Sequence, residues 1–502
     1  MIIILLFNFL FGVPNNHSSC IISDQNRDIY RQEYINPEQI ESEHFVIHFT
    51  TSSNDFQEIN GQLYSLQSNY GYAQSIIDFA ELSLSTFINS GWEYPPPDCD
   101  ELITDESSPH HCINFGGNSL YDIYISNDGP GMVVPENQYA IPPYTGGLTS
   151  YMKISTLSNN YEFLPSWSHH VVAHEVHHTI QLRYGYGTSG TPGNYIYNLW
   201  FFEQTASYME NVVFPNSNHL YTMLANCDVV TPLTYTNHGI DYPAEIYPYR
   251  SALWQKYLVE SIGDSSIVRY MWEDYGLQFA TGNPVSLFPI YENAINIATD
   301  NQLELEHAFN EYALWRYFTG SRNIQNNFFE ESSGYCTSST FSIDDTYSMS
   351  SSTGGAYFIE LPQNGKDLII SSNFINDINC THITINPSDD ILLTEIPLNS
   401  NENYIDINSI EEGSQALIFN SSYDGTTSSQ INFTIIENQS NLLGDLNYDG
   451  EINVVDVVIL VDFVLLFSIP NADELILADI NANGSIDIVD VVLLINTILS
   501  TL

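Results

Sequence analysis

Residues 171–180 read VVAHEVHHTI, and this stretch decides the fold expected for the first half of the chain. Its apolar residues recur with helical periodicity. In an α-helix, residues i and i+4 lie one turn apart on the same face, so His174 and His178 can bind a single metal ion. Glu175 lies beside them, within reach of a water molecule bound to that ion. The stretch therefore predicts a helix that carries two zinc ligands and a general base.

A catalytic zinc needs a third protein ligand, and the segment LWFFEQTASYMENVV at 199–213 offers one. We predict an amphipathic helix on which Glu203, Ala206 and Glu210 share a face. Glu203 is the predicted ligand, and the small Ala206 would let this helix approach the first one closely. Glu210, two turns on, is expected to hold a ligand histidine by a hydrogen bond. An ordinary solvated helix face is the alternative interpretation of these acids.

Peptide hydrolysis also needs a hydrogen-bond donor for the oxyanion that develops in the transition state. Tyr249, just ahead of the helical segment SALWQKYL, is the predicted catalytic donor because it takes the place of a Tyr in the zinc peptidases that this chain resembles, with Tyr247 and His238 as alternatives. With 34 tyrosines in the chain, a packing role for Tyr249 is equally compatible with the sequence. Three further histidines near the HExxH motif are interpreted as packing, surface or supporting groups: His169, His170 and His177.

The sequence HEVHHTIQLRYG followed by WFFEQTASYMEN resembles the gluzincin clan of zinc peptidases. It is most similar to a group of secreted bacterial metalloproteases in which an HExxH helix precedes a W-x-x-E-x-x-A-x-x-x-E helix. The resemblance covers roughly residues 42–323 and implies a zincin-like α+β metalloprotease domain. It implies that the two motif histidines and Glu203 bind one catalytic Zn²⁺ and that Glu175 is the general base. The thermolysin branch has an Asp four residues after its ligand Glu, whereas this chain has Ser207, so the ligands must be supported differently.

A second motif occurs twice near the C-terminus, as DLNYDGEINVVD at 445–456 and DINANGSIDIVD at 479–490. Calcium loops of this kind place oxygen ligands at positions 1, 3, 5, 9 and 12, a backbone carbonyl at position 7 and a glycine at position 6. Because the whole pattern recurs, a chance acidic loop is disfavoured. The predicted ligands of two structural Ca²⁺ ions are Asp445, Asn447, Asp449, Glu451 (backbone), Asn453, Asp456, Asp479, Asn481, Asn483, Ser485 (backbone), Asp487 and Asp490.

An apolar segment follows each calcium loop, VVILVDFVLL and VVLLINTIL, and the repeat resembles a type I dockerin over about 442–502. This resemblance implies docking to a cohesin module. Clostridial dockerins carry a hydroxyl pair at loop positions 10 and 11, where this chain has Val454-Val455 and Ile488-Val489. Two partners therefore remain open, namely a cohesin-like module and the β-sandwich of the same chain.

Changes of pattern along the chain predict a multidomain protein with a metalloprotease domain at 42–335, a β-sandwich at 350–440 and a small helical dockerin-like domain at 442–502. The β-sandwich prediction rests on six short apolar runs about ten residues apart, separated by Asn, Ser, Asp and Gly. The segment GLTSYMKI at 147–154 is either an internal strand or an edge strand that binds an extended peptide. In the first domain we predict helices at 70–90, 164–184, 198–213, 251–262, 265–275 and 302–317, and strands at 45–49, 121–126 and 148–156.

The N-terminal segment IIILLFNFLFGV at 2–13 is too short to span a bilayer and is typical of the apolar region of a signal peptide. We predict a signal peptide at 1–19 and a secreted protein without a transmembrane helix, although a basic region before the apolar run is absent. A buried N-terminal segment is the alternative. Six cysteines fit an oxidising compartment, and Cys99–Cys112 is the predicted disulfide.

The chain has 10 Lys and Arg against 61 Asp and Glu, a net charge of −51. This deficit of basic residues excludes a nucleic-acid-binding protein, because such proteins neutralise phosphates with many Lys and Arg side chains. The predicted function is a secreted zinc metallopeptidase that hydrolyses peptide bonds of a protein or peptide through a zinc-activated water. The alternative is a catalytically inactive extracellular scaffold or surface-binding protein that acts through its dockerin-like module.

Overall fold

The computed structural model describes residues 31–500 with the exception of 157–167, 187–197, 218, 244–245, 325–327, 344, 351–352, 373–376, 424–429, 438–441 and 449. The predicted signal peptide and the predicted calcium ligand Asp449 therefore lie outside the described residues. Within the described ranges, none of the helices combines the length and the apolar character needed to cross a membrane.

The first part of the chain is built around a five-stranded mixed sheet. Its strands and a separate hairpin are β1 (Glu38–Glu41), β2 (Phe45–Phe49), β3 (Phe56–Ile59), β4 (Gln62–Ser65), β5 (Tyr121–Ser126), β6 (Gly131–Gln138) and β7 (Leu148–Ser155). The spatial order is β1-β2-β5-β7-β6, and β3 pairs with β4. Strands β2, β5 and β7 run parallel, while β1 and β6 run antiparallel to their neighbours at the two edges.

The strand pairing decides between the two positions that the sequence left open for the segment at 147–154. Strand β7 pairs with β5 on one side and with β6 on the other, so it is internal, and the edge next to it is β6. Strand β6, which contains Pro135, was not predicted from the sequence. Proline is tolerated in an edge strand, where its missing N–H need not pair.

Helices pack against this sheet and against one another to form a large common core, which includes Ile47, Ile76, Ile123, Val176 and Phe201. The helices are α1 (Tyr70–Asn89), α2 (Ser168–Tyr184), α3 (Leu199–Val213), α4 (His219–Leu224), α5 (Tyr247–Arg250), α6 (Leu253–Ile262), α7 (Ile267–Ala280), α8 (Leu287–Ala298) and α9 (Leu305–Tyr317). A helix is present at each of the six predicted positions. The longest helix that the sequence analysis missed is α8, whose Pro289 lies in the first turn, where a missing N–H is harmless.

Two four-stranded sheets follow and face each other like a β-sandwich. Their strands are β8 (Asp345–Ser350), β9 (Ala356–Leu361), β10 (Lys366–Ser372), β11 (Ile378–Ile385), β12 (Ile391–Glu395), β13 (Glu402–Ile407), β14 (Ser414–Ser421) and β15 (Gln430–Glu437). The antiparallel orders are β13-β10-β15-β8 and β12-β11-β14-β9. Apolar side chains from both sheets form the core between them, among them Ile359, Ile370, Phe419 and Phe433. Strand β8 begins before residue 350, where the sequence analysis placed the start of this domain.

The second of these sheets also packs against the helical part of the chain. Tyr317 of α9 shares a buried cluster with Phe358 and Ile418 of the sheet. The fully buried Arg316 guanidinium donates to the Gly354 carbonyl at 2.8 Å. The sandwich is therefore fixed to α9 by both apolar and polar contacts.

The C-terminal part of the chain has its own small core, to which Leu446, Leu460, Phe463, Leu477 and Leu494 contribute. Its helices are α10 (Val454–Val464), α11 (Ala472–Ala478) and α12 (Ile488–Ser500). The multidomain α+β organisation with β-sandwich-like sheets and a helical C-terminal part is confirmed, whereas the zincin-like character of the first domain stays a prediction.

Two disulfides crosslink the described residues. The predicted Cys99–Cys112 bond is confirmed, with the Cα atoms 4.8 Å apart. A second bond, Cys227–Cys336, was not predicted, because its partners are 109 residues apart and come together only in the folded chain. Cys380 is buried in β11 as a free thiol.

Candidate functional site

Helices α2 and α3 pack against each other, and their contact brings the three predicted zinc ligands together. His174 and His178 lie on successive turns of α2, and Glu203 faces them from α3. The Nε2 atoms of His174 and His178 lie 3.0 and 3.4 Å from Glu203 Oε2. All three side chains are buried, and their ligand atoms lie within 4.8 Å of one another.

Hydrogen bonds on the far side of the two imidazole rings determine which ring nitrogens face Glu203. His174 Nδ1 lies 2.8 Å from Glu210 Oε1, and His178 Nδ1 lies 2.7 Å from Gln181 Oε1. The Gln181 amide nitrogen donates to the Phe202 carbonyl at 3.0 Å, so the Gln181 oxygen is the atom that accepts from His178. With Nδ1 as the donor, each neutral ring presents the lone pair of Nε2 to Glu203.

Three acceptors thus converge on one buried point. His178 Nε2 makes no hydrogen bond within the described residues, although it is fully buried. Two imidazole lone pairs and a carboxylate oxygen repel one another unless a cation lies between them. The arrangement therefore fits a cation-binding site, and two nitrogen donors with one oxygen donor suit Zn²⁺.

The local electrostatics keep this cluster in the state that binds metal. Burial by itself would raise the pKa of Glu203, but its interactions with His178 and His174 outweigh burial and hold that pKa well below its usual range. Burial lowers the pKa of His178. The carboxylate is therefore ionised and His178 favours the neutral form, as metal ligation requires.

Glu210 accepts a hydrogen bond from His174, which is the contact predicted for it from the sequence. Burial would raise its pKa, but the charge of His219 and the hydrogen bonds from His174 and His219 lower the pKa of Glu210 to about 2. Gln181, which the sequence analysis did not single out, plays the corresponding role for His178. It lies three residues after His178, close enough on the helix to have been identified from spacing alone.

Glu175, the predicted general base, is buried on α2 against the start of edge strand β6. A Cβ atom at Gly131 would lie 2.8 Å from Glu175 Oε1 and 2.5 Å from Val171 Cγ1. A larger residue at this position would force the Val171 and Glu175 side chains or the strand to move. Gly131 is therefore a site residue that sequence reasoning missed, because the contact joins two elements far apart in the chain.

Of the three candidate oxyanion donors, Tyr249 is the one that contacts a predicted metal ligand. Its ring, on α5, stacks on the His174 ring with centroids 5.6 Å apart. The Tyr247 hydroxyl instead donates to the His238 carbonyl at 3.2 Å. The His238 ring stacks on Tyr242 with centroids 3.7 Å apart.

The additional histidines of α2 have different environments. His177 is fully buried and packs edge-on against Trp92 at 4.8 Å, in agreement with a packing role. His169 is partly exposed and lies against Phe214. His170 instead lies beside Glu210, whose Oε2 is 3.9 Å from His170 Nδ1.

The two predicted calcium loops match at their position-6 glycine and first-position aspartate. Gly450 and Gly484 have φ angles of +81° and +82°, in the left-handed region that favours glycine. The Gly450 amide donates to Asp445 Oδ2 at 2.8 Å, and the Gly484 amide donates to Asp479 Oδ2 at 2.6 Å. Both first-position carboxylates therefore point into their loops.

The last predicted ligand of each loop, Asp456 or Asp490, is fully buried. Asp456 accepts from the Leu446 and Asn453 amides at 2.8 Å each. Asp490 accepts from the Asp487 amide at 2.9 Å. These carboxylates thus tie the start of each helix back to its loop. The remaining predicted ligands among the described residues belong to the same two loops: Asn447, Glu451, Asn453, Asn481, Asn483, Ser485 and Asp487.

Comparison with known families agrees with this loop geometry. Residues 443–499 match the family model for the dockerin type I domain. A search of curated proteins finds no match to the chain. The C-terminal residues 443–499 of this chain are thus a dockerin type I domain.

Proposed function

We propose that residues 42–335 form a zinc-dependent peptidase. The observation that supports this proposal most directly is the buried convergence of His174, His178 and Glu203, with imidazole lone pairs facing a carboxylate. Catalytic zinc sites commonly use three such ligands and leave the fourth position to water. Zinc bound there would lower the pKa of that water towards 7 and polarise the carbonyl of a peptide bond.

The residues around this cluster have the chemistry that peptide hydrolysis requires. Glu175 accepts the proton of the attacking water and donates it to the leaving amine. Its burial beneath Gly131 keeps bulk water away from this proton transfer. The Tyr249 hydroxyl donates to the oxyanion, while stacking of the tyrosine on His174 fixes its position.

Edge strand β6 favours a peptide in extended conformation as the substrate. The strand starts at Gly131, next to Glu175, and runs antiparallel to β7 at the edge of the sheet. A peptide that pairs with this edge would lie across the start of α2 as an additional strand. We therefore propose unfolded or extended segments of proteins as substrates.

The test compares hydrolysis of unfolded casein by the wild-type protein and by Glu175→Gln, both supplied with zinc and calcium. We expect the variant to lose at least about 100-fold in kcat, because general-base catalysis typically contributes 10²–10⁴-fold. The exposed Glu43→Gln variant is the matched control and should retain full activity. Absence of casein hydrolysis by all three proteins would contradict the proposal and favour a non-catalytic scaffold.

The dockerin domain suggests a second function, attachment of the enzyme to a partner outside the cell. We propose that its two loops bind Ca²⁺ and that it docks to a cohesin-like module. Val454, Val455, Ile488 and Val489, at equivalent loop positions, are 69, 48, 63 and 49% exposed. These two apolar pairs favour a partner with a matching apolar surface.

Titration calorimetry with a purified type I cohesin, in calcium and in excess chelator, tests the docking proposal. We expect binding in calcium that is abolished by the combined change Val454→Ser, Val455→Ser, Ile488→Ser and Val489→Ser. Binding by the quadruple variant with unchanged affinity would exclude these pairs as the docking surface. Failure of the wild type to bind any cohesin would favour packing of the domain on its own chain.

A further inference from the structure

A second cluster of potential metal ligands lies beside the first, between the start of α2 and the end of α3. It consists of His170, Glu210 and His219, whose ligand atoms lie within 4.8 Å of one another. His170, His174 and His178 follow one another at intervals of four residues, so they form a ladder along one face of α2. We propose that this second cluster binds a second Zn²⁺ ion, one helical turn from the first.

The distances within the cluster match this assignment. Glu210 Oε2 lies 2.5 Å from His219 Nδ1 and 3.9 Å from His170 Nδ1. Ligand atoms bound to a tetrahedral zinc at about 2.1 Å lie about 3.4 Å apart, between these two values. Small side-chain movements would therefore suffice to bring all three atoms around one ion.

Hydrogen bonds from neighbouring histidines satisfy both carboxylate oxygens of Glu210, whereas one ring nitrogen of His170 has no such partner among the described residues. Glu210 accepts from His174 and His219, one with each oxygen. His170 is only 3% exposed, and its Nδ1 makes no hydrogen bond within the described residues. This nitrogen faces Glu210 Oε2, and a zinc ion between them, in place of the proton that His219 Nδ1 shares with that oxygen, would give His170 a partner.

The charge balance around Glu210 also favours a bound cation. Its ion-pair partners in the described part of the chain are all histidines: His170, His174 and His219. A buried carboxylate surrounded only by imidazoles gains strongly from a divalent ion. Two imidazole nitrogens and one carboxylate oxygen are again the donor set that suits Zn²⁺.

Glu210 would connect the two sites, because its Oε1 holds His174 and its Oε2 faces the second cluster. An ion at the second site would fix the Glu210 carboxylate and, through it, the His174 ring. A surface recess of about 380 Å³ is lined in part by His169 and Phe214, and both of these side chains pack against the His170 ring. The second site does not depend on peptidase activity.

The test is the zinc stoichiometry of the full-length protein, stripped of metal and then titrated with Zn²⁺ in saturating calcium. Titration calorimetry and elemental analysis should give two Zn²⁺ per chain for the wild type and for the control Glu43→Gln, whose side chain is exposed and lies outside both clusters. His219→Ala and Glu210→Gln should each bind one. His178→Ala should also bind one, at the second cluster, and this variant separates failure of the second site from failure of the first.

One Zn²⁺ per wild-type chain, unchanged in His219→Ala, would overturn the second site. The same conclusion follows if His178→Ala binds none while His219→Ala binds one. The wild-type value alone decides the question if a variant does not fold, since two ions are expected and one would contradict the proposal. Circular dichroism of each variant checks its fold.

Discussion

The ligand cluster between α2 and α3 and the loops of the dockerin domain are both suited to metal ions, but the protein positions them in different ways. His174, His178 and Glu203 are buried between two long helices of a large core. The predicted calcium ligands among the described residues instead lie in two loops whose carboxylates accept hydrogen bonds from the loops' own amides, beside a small core. One site is formed by tertiary packing and the other by local chain geometry.

This difference predicts how much each metal contributes to folding. The first site would persist without zinc, because packing of the surrounding helices already fixes its ligands. The dockerin domain has few buried apolar residues of its own, so calcium binding should supply much of its folding free energy.

Calcium removal is expected to have the largest effect. An ion present at 1,000 times its dissociation constant stabilises a domain by about 4 kcal/mol, so two ions contribute about 8 kcal/mol. In excess EDTA, the calorimetric unfolding transition of the dockerin domain should disappear while that of the larger part remains. Addition of Ca²⁺, but not of Zn²⁺, should restore it. An unchanged dockerin transition in EDTA would contradict this view of the domain.

The variant Glu203→Gln is expected to have the next largest effect. It removes the only carboxylate of the first cluster, so zinc affinity should fall by more than the 10–100-fold typical of supporting residues. Competition with a chromogenic zinc chelator measures this change, with Glu43→Gln as the control. Equal affinities of the Glu203 variant and the control would show that Glu203 is not a ligand.

The variant Gln181→Leu tests the support of His178. Loss of the hydrogen bond to His178 Nδ1 should weaken zinc binding by about 10–100-fold, because the ring would no longer be held in one orientation. The exposed Gln74→Leu variant on α1 is the control. Full affinity of the Gln181 variant would mean that packing alone orients the ring.

The variant Gly131→Ala should have the smallest effect and should separate catalysis from metal binding. The added methyl group would displace Glu175 or strand β6, so we expect kcat to fall about 10-fold. Zinc affinity should not change, because the methyl group contacts none of the three ligands. Gly71→Ala, at the start of α1, is the control. Loss of zinc in the Gly131 variant would instead point to a general disturbance of α2.

The difference between the two sites also explains which of their residues could be predicted from the sequence. The calcium ligands recur at fixed positions in a short loop, so their pattern is visible without a structure. The predicted zinc ligands could be selected from the sequence because i, i+4 spacing and an amphipathic helix are local features. Gly131 and His219 could not be identified from the sequence, because tertiary packing brings Gly131 to Glu175 and His219 to Glu210.

Prediction of the fold from the sequence likewise succeeded for local features and failed for contacts between distant segments. Long amphipathic helices and alternating strands were predictable from periodicity, whereas the edge position of β6 follows from the pairing of distant segments. The Cys227–Cys336 disulfide likewise depends on contacts far apart in sequence.

The most direct test of the zinc site is an anomalous difference map, recorded at the zinc absorption edge from crystals of the full-length protein grown with Zn²⁺. We predict a peak about 2.0–2.2 Å from His174 Nε2, His178 Nε2 and a carboxylate oxygen of Glu203. Absence of a peak among these three side chains would contradict the account.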